Sequence, residues 1–94
     1  MPLQTRFYEF ERSRPPDVIG VYELGWRDGS VVYIGAGVIR ARLCAHRRDP
    51  DKRFSVYRCQ ITNDRRRAGQ MERREQRKFQ RRHSRLPRFN NRVG

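Results

Sequence analysis

An α+β domain is predicted for this chain of 94 residues. Three observations point to it: two β-branched and aromatic runs meeting at Asp28-Gly29, a third such run further on, and two stretches of helical spacing that follow the hairpin and the third run. The length allows one domain with one modest core, and no second recognition domain.

The elements follow in order. "QTRFYEFERSRPPD" mixes aromatics with charges and ends in Pro15-Pro16, which cannot continue a helix or a central strand, so residues 1–17 are expected to form an extended arm. "DVIGVYELGW" and "SVVYIG" read as strands joined by "RDG", with Asp28-Gly29 the favoured centre of a two-residue turn. From Val38 to about Arg48, Ile39 and Leu43 lie one helical turn apart, and Asp49-Pro50 stops the helix. "RFSVYRCQIT" is a third strand in which Tyr57, Cys59 and Ile61 alternate. Asp64 is a good N-cap for a long basic helix to about His83, after which "SRLPRFNNRVG" trails away.

Charge narrows the function. The formal net charge is +13, from 23 basic and 10 acidic residues, and all the basic residues but Lys52 and Lys78 are arginine. Arginine binds phosphate through a planar fork and stacks on bases, so a nucleic acid is the expected partner. No apolar run is long enough to span a membrane, and the N-terminus lacks the apolar stretch of a signal peptide. An intracellular protein, cytoplasmic or nucleoid-associated, is expected. Cys44 and Cys59 lack CxxC spacing, and Cys44 with His46 is too small a set for structural zinc.

Register places the candidate chemistry. With Asp28 and Gly29 as turn residues, Arg27 faces Ser30, Leu24 faces Tyr33 and Tyr22 faces Gly35, which puts both tyrosines on one face of the hairpin. Gly35 has no side chain, so an open notch is expected beside the Tyr22 phenol. A pair of core aromatics is the plain alternative. Arg42 and His46 are four apart and share a helix face beside Ile39 and Leu43. In the long helix Ala68, Met71, Phe79 and Leu86 mark the buried stripe, and Glu75 falls midway between Met71 and Phe79, with Glu72 at the edge as second choice. An inward carboxylate on a basic helix is explained by a bound cation, most simply one Mg²⁺ or Mn²⁺ ion.

Gly20-Val21-Tyr22 and Tyr33-Ile34-Gly35, followed by Arg42, His46, a later glutamate and Pro87-x-Phe89-Asn90, resemble the motifs of the GIY-YIG nuclease family from about Ile19 to Asn90. The resemblance implies a central three-stranded antiparallel sheet flanked by helices, with the domain spanning residues 18–90 and a tail over 91–94. It implies a divalent-metal-dependent endonuclease acting on double-stranded or branched DNA. Tyr22 would receive or relay the proton of the attacking water, Tyr33 would support it, Arg42 would stabilise the phosphate, His46 would aid proton movement, Glu75 would hold the metal and Asn90 would be an auxiliary residue. Gly20 and Gly35 would be the motif glycines. The basic residues expected to track phosphates with low sequence specificity are Arg40, Arg47, Arg48, Arg65, Arg66, Arg73, Arg74, Arg77, Lys78 and Arg81. This leaves room for a protein partner that supplies targeting. Two other classes remain: a binding module of the same fold with weak or no catalysis, and a small ribonucleoprotein component.

Overall fold

The hairpin is formed by β2 (Ile19–Gly25) and β3 (Val31–Val38), whose branched and aromatic residues suit a pleated, buried surface. The computed structural model describes residues 6–91 of the chain. Tyr22 pairs with Gly35 and Leu24 with Tyr33, as the turn chemistry predicts. The path to that register differs, however. Trp26, not Arg27, faces Ser30, since Trp26 N donates to Ser30 O at 2.9 Å and Gly29 N to Trp26 O at 3.0 Å. The loop therefore has three residues, Arg27, Asp28 and Gly29, with Gly29 in the left-handed region at φ 93°. That shortens the pairing sum by one. A bulge restores it, because Gly25 pairs with Val31 while Leu24 pairs with Tyr33, leaving Val32 as the extra residue.

The sheet has four antiparallel strands, not three, in the order β1-β4-β2-β3. β4 (Val56–Ile61) pairs along β2, and β1 (Tyr8–Glu9) adds a short edge against β4. The described part of the expected arm is thus folded: a 3₁₀ turn over Phe10–Arg12 follows β1, and Phe10 meets Phe54 edge to face at 5.3 Å. The aromatics of this segment find partners almost fifty residues away, which local pattern does not reveal.

α1 (Ile39–Arg48) seats Ile39 and Leu43 on the sheet face that carries Tyr22, Leu24, Tyr57 and Cys59, completing the main core. Ile61, expected to continue the alternation inward, is instead exposed at the end of β4. α2 (Arg65–His83) begins as predicted at Asp64, whose carboxylate accepts from Arg66 N and Arg67 N. It packs on β2 and β3 from the other face, near Glu23. Its fully buried positions are Ala68 and Gln76; Glu75 is only half-buried. Among the described residues no helix is long and apolar enough to cross a membrane.

Candidate active site

Alternation along β2 turns Tyr22 toward α1, and the four-residue spacing of α1 turns His46 toward β2. Their polar ends meet at 2.7 Å, Tyr22 Oη against His46 Nε2, and both residues are almost wholly buried. Burial pushes the Tyr22 phenol well above its ordinary range; Tyr33 adds to the rise, and Arg42 opposes it without prevailing. Desolvation is thus a larger effect on Tyr22 than the charge of Arg42. Burial also lowers His46 from 6.5 to about 4, helped by the positive charges of Lys52 and Arg42. At neutral pH the imidazole is neutral, so Tyr22 Oη–H donates to Nε2 and the other ring nitrogen holds the proton.

Three further side chains converge on this pair. Tyr33 stacks beside Tyr22 with ring centroids 6.3 Å apart, and its ring lies 4.7 Å from that of His46. Arg42, one turn before His46 on α1, presents its guanidinium to both phenols and favours their ionised forms. Glu72 of α2 completes the group: its carboxylate is felt by Tyr22 and Tyr33, and Arg42 is felt by Glu72 in turn. Burial raises the Glu72 carboxyl above its ordinary value, against Arg73 and Arg42. Glu75, the first choice from helical spacing, faces another surface, where it lines a groove with Glu23, Arg58 and Lys78. The sixty-degree offset between positions three apart on a helix decides between them.

The notch expected beside Tyr22 is closed. A Cβ on Gly35 would lie 2.5 Å from Tyr22 Oη and 2.8 Å from Tyr33 Cε2, so the glycine is required because the two phenols pack across it. Gly20 is needed for a different close approach, with a Cβ there 2.2 Å from Gln60 O of β4. Asn90 lies near Tyr33 and Glu72 and binds the backbone of β3. Its Oδ1 accepts from Ile34 N at 2.8 Å and its Nδ2 donates to Ile34 O at 3.0 Å, so the amide caps the outer edge of β3 and acts as a positioning residue.

Several residues escaped the sequence reading. Lys52, from the loop between α1 and β4, places its ammonium 4.8 Å from the Tyr33 ring centroid. Gln76 donates to Ile34 O at 3.0 Å, tying α2 to the strand that carries Tyr33. Glu23 is buried on the α2 face with Arg58 Nε 2.5 Å from its Oε1. A loop lysine and a glutamine carry no local pattern, and only the partner strand tells which face of β2 is covered by α2.

The basic surface divides in two. Arg40 is tied to Pro15 O at 2.8 Å and Asp17 at 3.6 Å, and Arg47 to Phe54 O at 2.9 Å and to Glu11 while lying over the Phe10 ring. These two hold the N-terminal segment and α1 together, with Arg47 still exposed. Arg48, Arg65, Arg66, Arg74, Arg77, Lys78 and Arg81 are exposed, and Arg73 is half-buried beside Glu72.

Among the described residues no group of three His, Cys, Asp or Glu side chains is placed to hold a metal ion. Glu72 is a single carboxylate next to phenol oxygens. Such a donor set fits a hard divalent cation that keeps most of its waters and shares phosphate oxygens, and does not fit zinc, which wants four protein ligands or three. Both cysteines are free thiols.

A two-tyrosine, arginine and glutamate cluster on a small α+β scaffold thus defines the molecule. The chain belongs to the family described as Domain of unknown function (DUF7508), whose model matches residues 1–78 and so takes in every residue of this cluster. No curated protein and no solved structure matches the chain.

Proposed function

We propose that this protein is a divalent-metal-dependent endonuclease that hydrolyses phosphodiester bonds in DNA with low sequence specificity, on a GIY-YIG-like fold. The convergence of Tyr22, Tyr33, Arg42, His46 and Glu72 from four separate elements carries the reading. The order of the motifs around Tyr22 and Tyr33 supports it, as does a net charge of +13. A Mg²⁺ or Mn²⁺ ion on Glu72 would supply charge for the phosphate and for water ionisation. Tyr22 accepts the proton of the attacking water as its own proton passes to His46 Nε2, so no free phenolate forms. The new P–O bond replaces the one to the leaving oxygen, which takes a proton from solvent. Arg42 holds the negative charge that develops on the phosphate, and Tyr33 keeps the Tyr22 ring in place.

The test is cleavage of supercoiled plasmid with Mg²⁺ or Mn²⁺ against an EDTA control. Tyr22→Phe and Arg42→Ala should each lower the rate by about 10² or more with circular dichroism unchanged. Parent-like cleavage by either variant would overturn the assignment. A second reading, a nucleic-acid-binding module with weak catalysis, is favoured by one observation: Tyr22 has no exposed surface and the space beside it at Gly35 is filled by the two phenols, so an attacking water has no open approach to its hydroxyl. Metal-independent DNA binding without cleavage would select it.

A further inference from the structure

α2 has a second working face. Between the hairpin tip (Gly29, Ser30, Val31) and the C-terminal half of α2 lies a groove of about 460 Å³. It is lined by the Glu23–Arg58 ion pair, in which the buried carboxylate largely offsets the guanidinium, and by the half-buried Glu75. Its rim is cationic: Lys78, Arg82 and Arg85 are all exposed, and among the described residues no carboxylate lies in salt-bridge range of any of them. The rim also carries π surface. Phe79 and His83, one helical turn apart, have ring centroids 4.1 Å apart at 34°, with the Arg85 guanidinium 5.9 Å from the Phe79 ring.

A purely electrostatic phosphate track needs no aromatic pair, and an apolar docking groove would not be ringed by unpaired cations. Cations flanking a stacking platform match the chemistry of unpaired nucleotides, whose bases expose the faces that a duplex keeps stacked. We infer that this groove binds a single-stranded segment of nucleic acid, with a base against Phe79 and His83 and its phosphates on Lys78, Arg82 and Arg85. Ten residues of helix separate Glu72 from Arg82, about 15 Å of rise, so the groove would hold nucleotides flanking a bond cut at the tyrosine cluster. The inference rests on the nucleic-acid part of the proposed function and names unpaired nucleotides as part of the substrate. It does not require the tyrosine cluster to be active.

The experiment is fluorescence anisotropy in EDTA at fixed salt, comparing a labelled oligothymidylate of about 12 nucleotides with a duplex of equal length. Phe79→Leu, which keeps volume and removes the ring, and His83→Ala, which changes an exposed side chain, should each weaken single-strand binding about tenfold and leave duplex binding within about twofold. Arg66→Ala, on the first turn of α2, should weaken both alike. Equal loss on both ligands for Phe79→Leu and His83→Ala, or no loss on either, would overturn the groove. So would polyglutamate binding with the same sensitivity to Phe79→Leu, since an acidic peptide would then be the occupant. Tyr22→Phe should bind oligothymidylate like the parent. Selective loss in a protein that never cuts plasmid would uphold the groove and defeat the nuclease reading, whereas cleavage without selective loss would do the reverse.

Discussion

Replacing Asn90 by alanine separates a positioning role from a catalytic one. The outer edge of β3 presents the N–H and C=O of Ile34, a residue with no exposed surface, and the Asn90 amide satisfies both at 2.8 and 3.0 Å. The carbonyl keeps a second donor, Gln76 Nε2 at 3.0 Å, after the change. The N–H does not. Losing the two bonds removes roughly 1 kcal/mol each at most, with the retained Gln76 bond cushioning one, and the stranded N–H adds a desolvation penalty of about 1 kcal/mol or more. Asn90→Ala should therefore destabilise the fold by about 2–3 kcal/mol, a fall in Tm of roughly 10–20 °C for a domain of this size. Asn90→Asp retains the acceptor for Ile34 N–H but turns a carboxylate oxygen toward Ile34 O in place of the Nδ2 donor, so it should destabilise the fold as well while keeping the Ile34 amide protected. Urea unfolding followed by circular dichroism reads both effects, and hydrogen exchange reads the Ile34 amide directly. A change below about 0.5 kcal/mol for Asn90→Ala with Ile34 exchange unaltered would refute the clamp and return Asn90 to the substrate side.

Three further outcomes follow from the same geometry. His46 falls from 6.5 to about 4 on folding, so the unfolded chain binds the extra proton; its contribution is complete above pH 6.5 and is lost as pH falls toward 4, about 3 kcal/mol in all. Urea midpoints for His46→Gln should show that part of the acid sensitivity removed, and an unchanged pH profile would contradict a buried neutral imidazole. Glu72→Gln should lose both Mn²⁺ binding by calorimetry and Mg²⁺-dependent cleavage, whereas Glu75→Gln should keep both; the reverse result would move the site one helical turn. DNA affinity should fall steeply with salt, and Arg66→Ala or Arg77→Ala should each reduce the log–log slope by about one, while Arg40→Ala, already tied to Pro15 and Asp17, should leave it unchanged.

Much of this molecule was legible locally. Branched and aromatic runs named the strands, Asp64 named the start of α2, Asp49-Pro50 ended α1, and the period of two placed Tyr22 and Tyr33 on one face. The pairing of Tyr22 with Gly35 was also readable, although through two cancelling features: a loop one residue longer than expected and a bulge at Val32. Arg42 and His46 emerged together because residues four apart share a helix face wherever the helix lies.

By itself, then, the sequence determined the α+β class, the extents of the major strands and helices, the basic surface and the tyrosine, arginine and histidine grouping, because these rest on short-range sterics and periodicity. Tertiary structure decided the rest. The fourth strand depends on Tyr8 meeting Tyr57, and the internal use of Arg40 and Arg47 depends on where residues 11–17 and Phe54 lie. The choice of Glu72 over Glu75 depends on the rotation of α2 about its axis, which the seating of Ala68 and Gln76 against the sheet sets. The protonation of the site belongs to the fold as well: an arginine beside a tyrosine suggests a lowered phenol, yet enclosure desolvates Tyr22 enough to outweigh that charge, while at His46 burial and the neighbouring cations act together, and the extent of burial is a property of the packed chain alone.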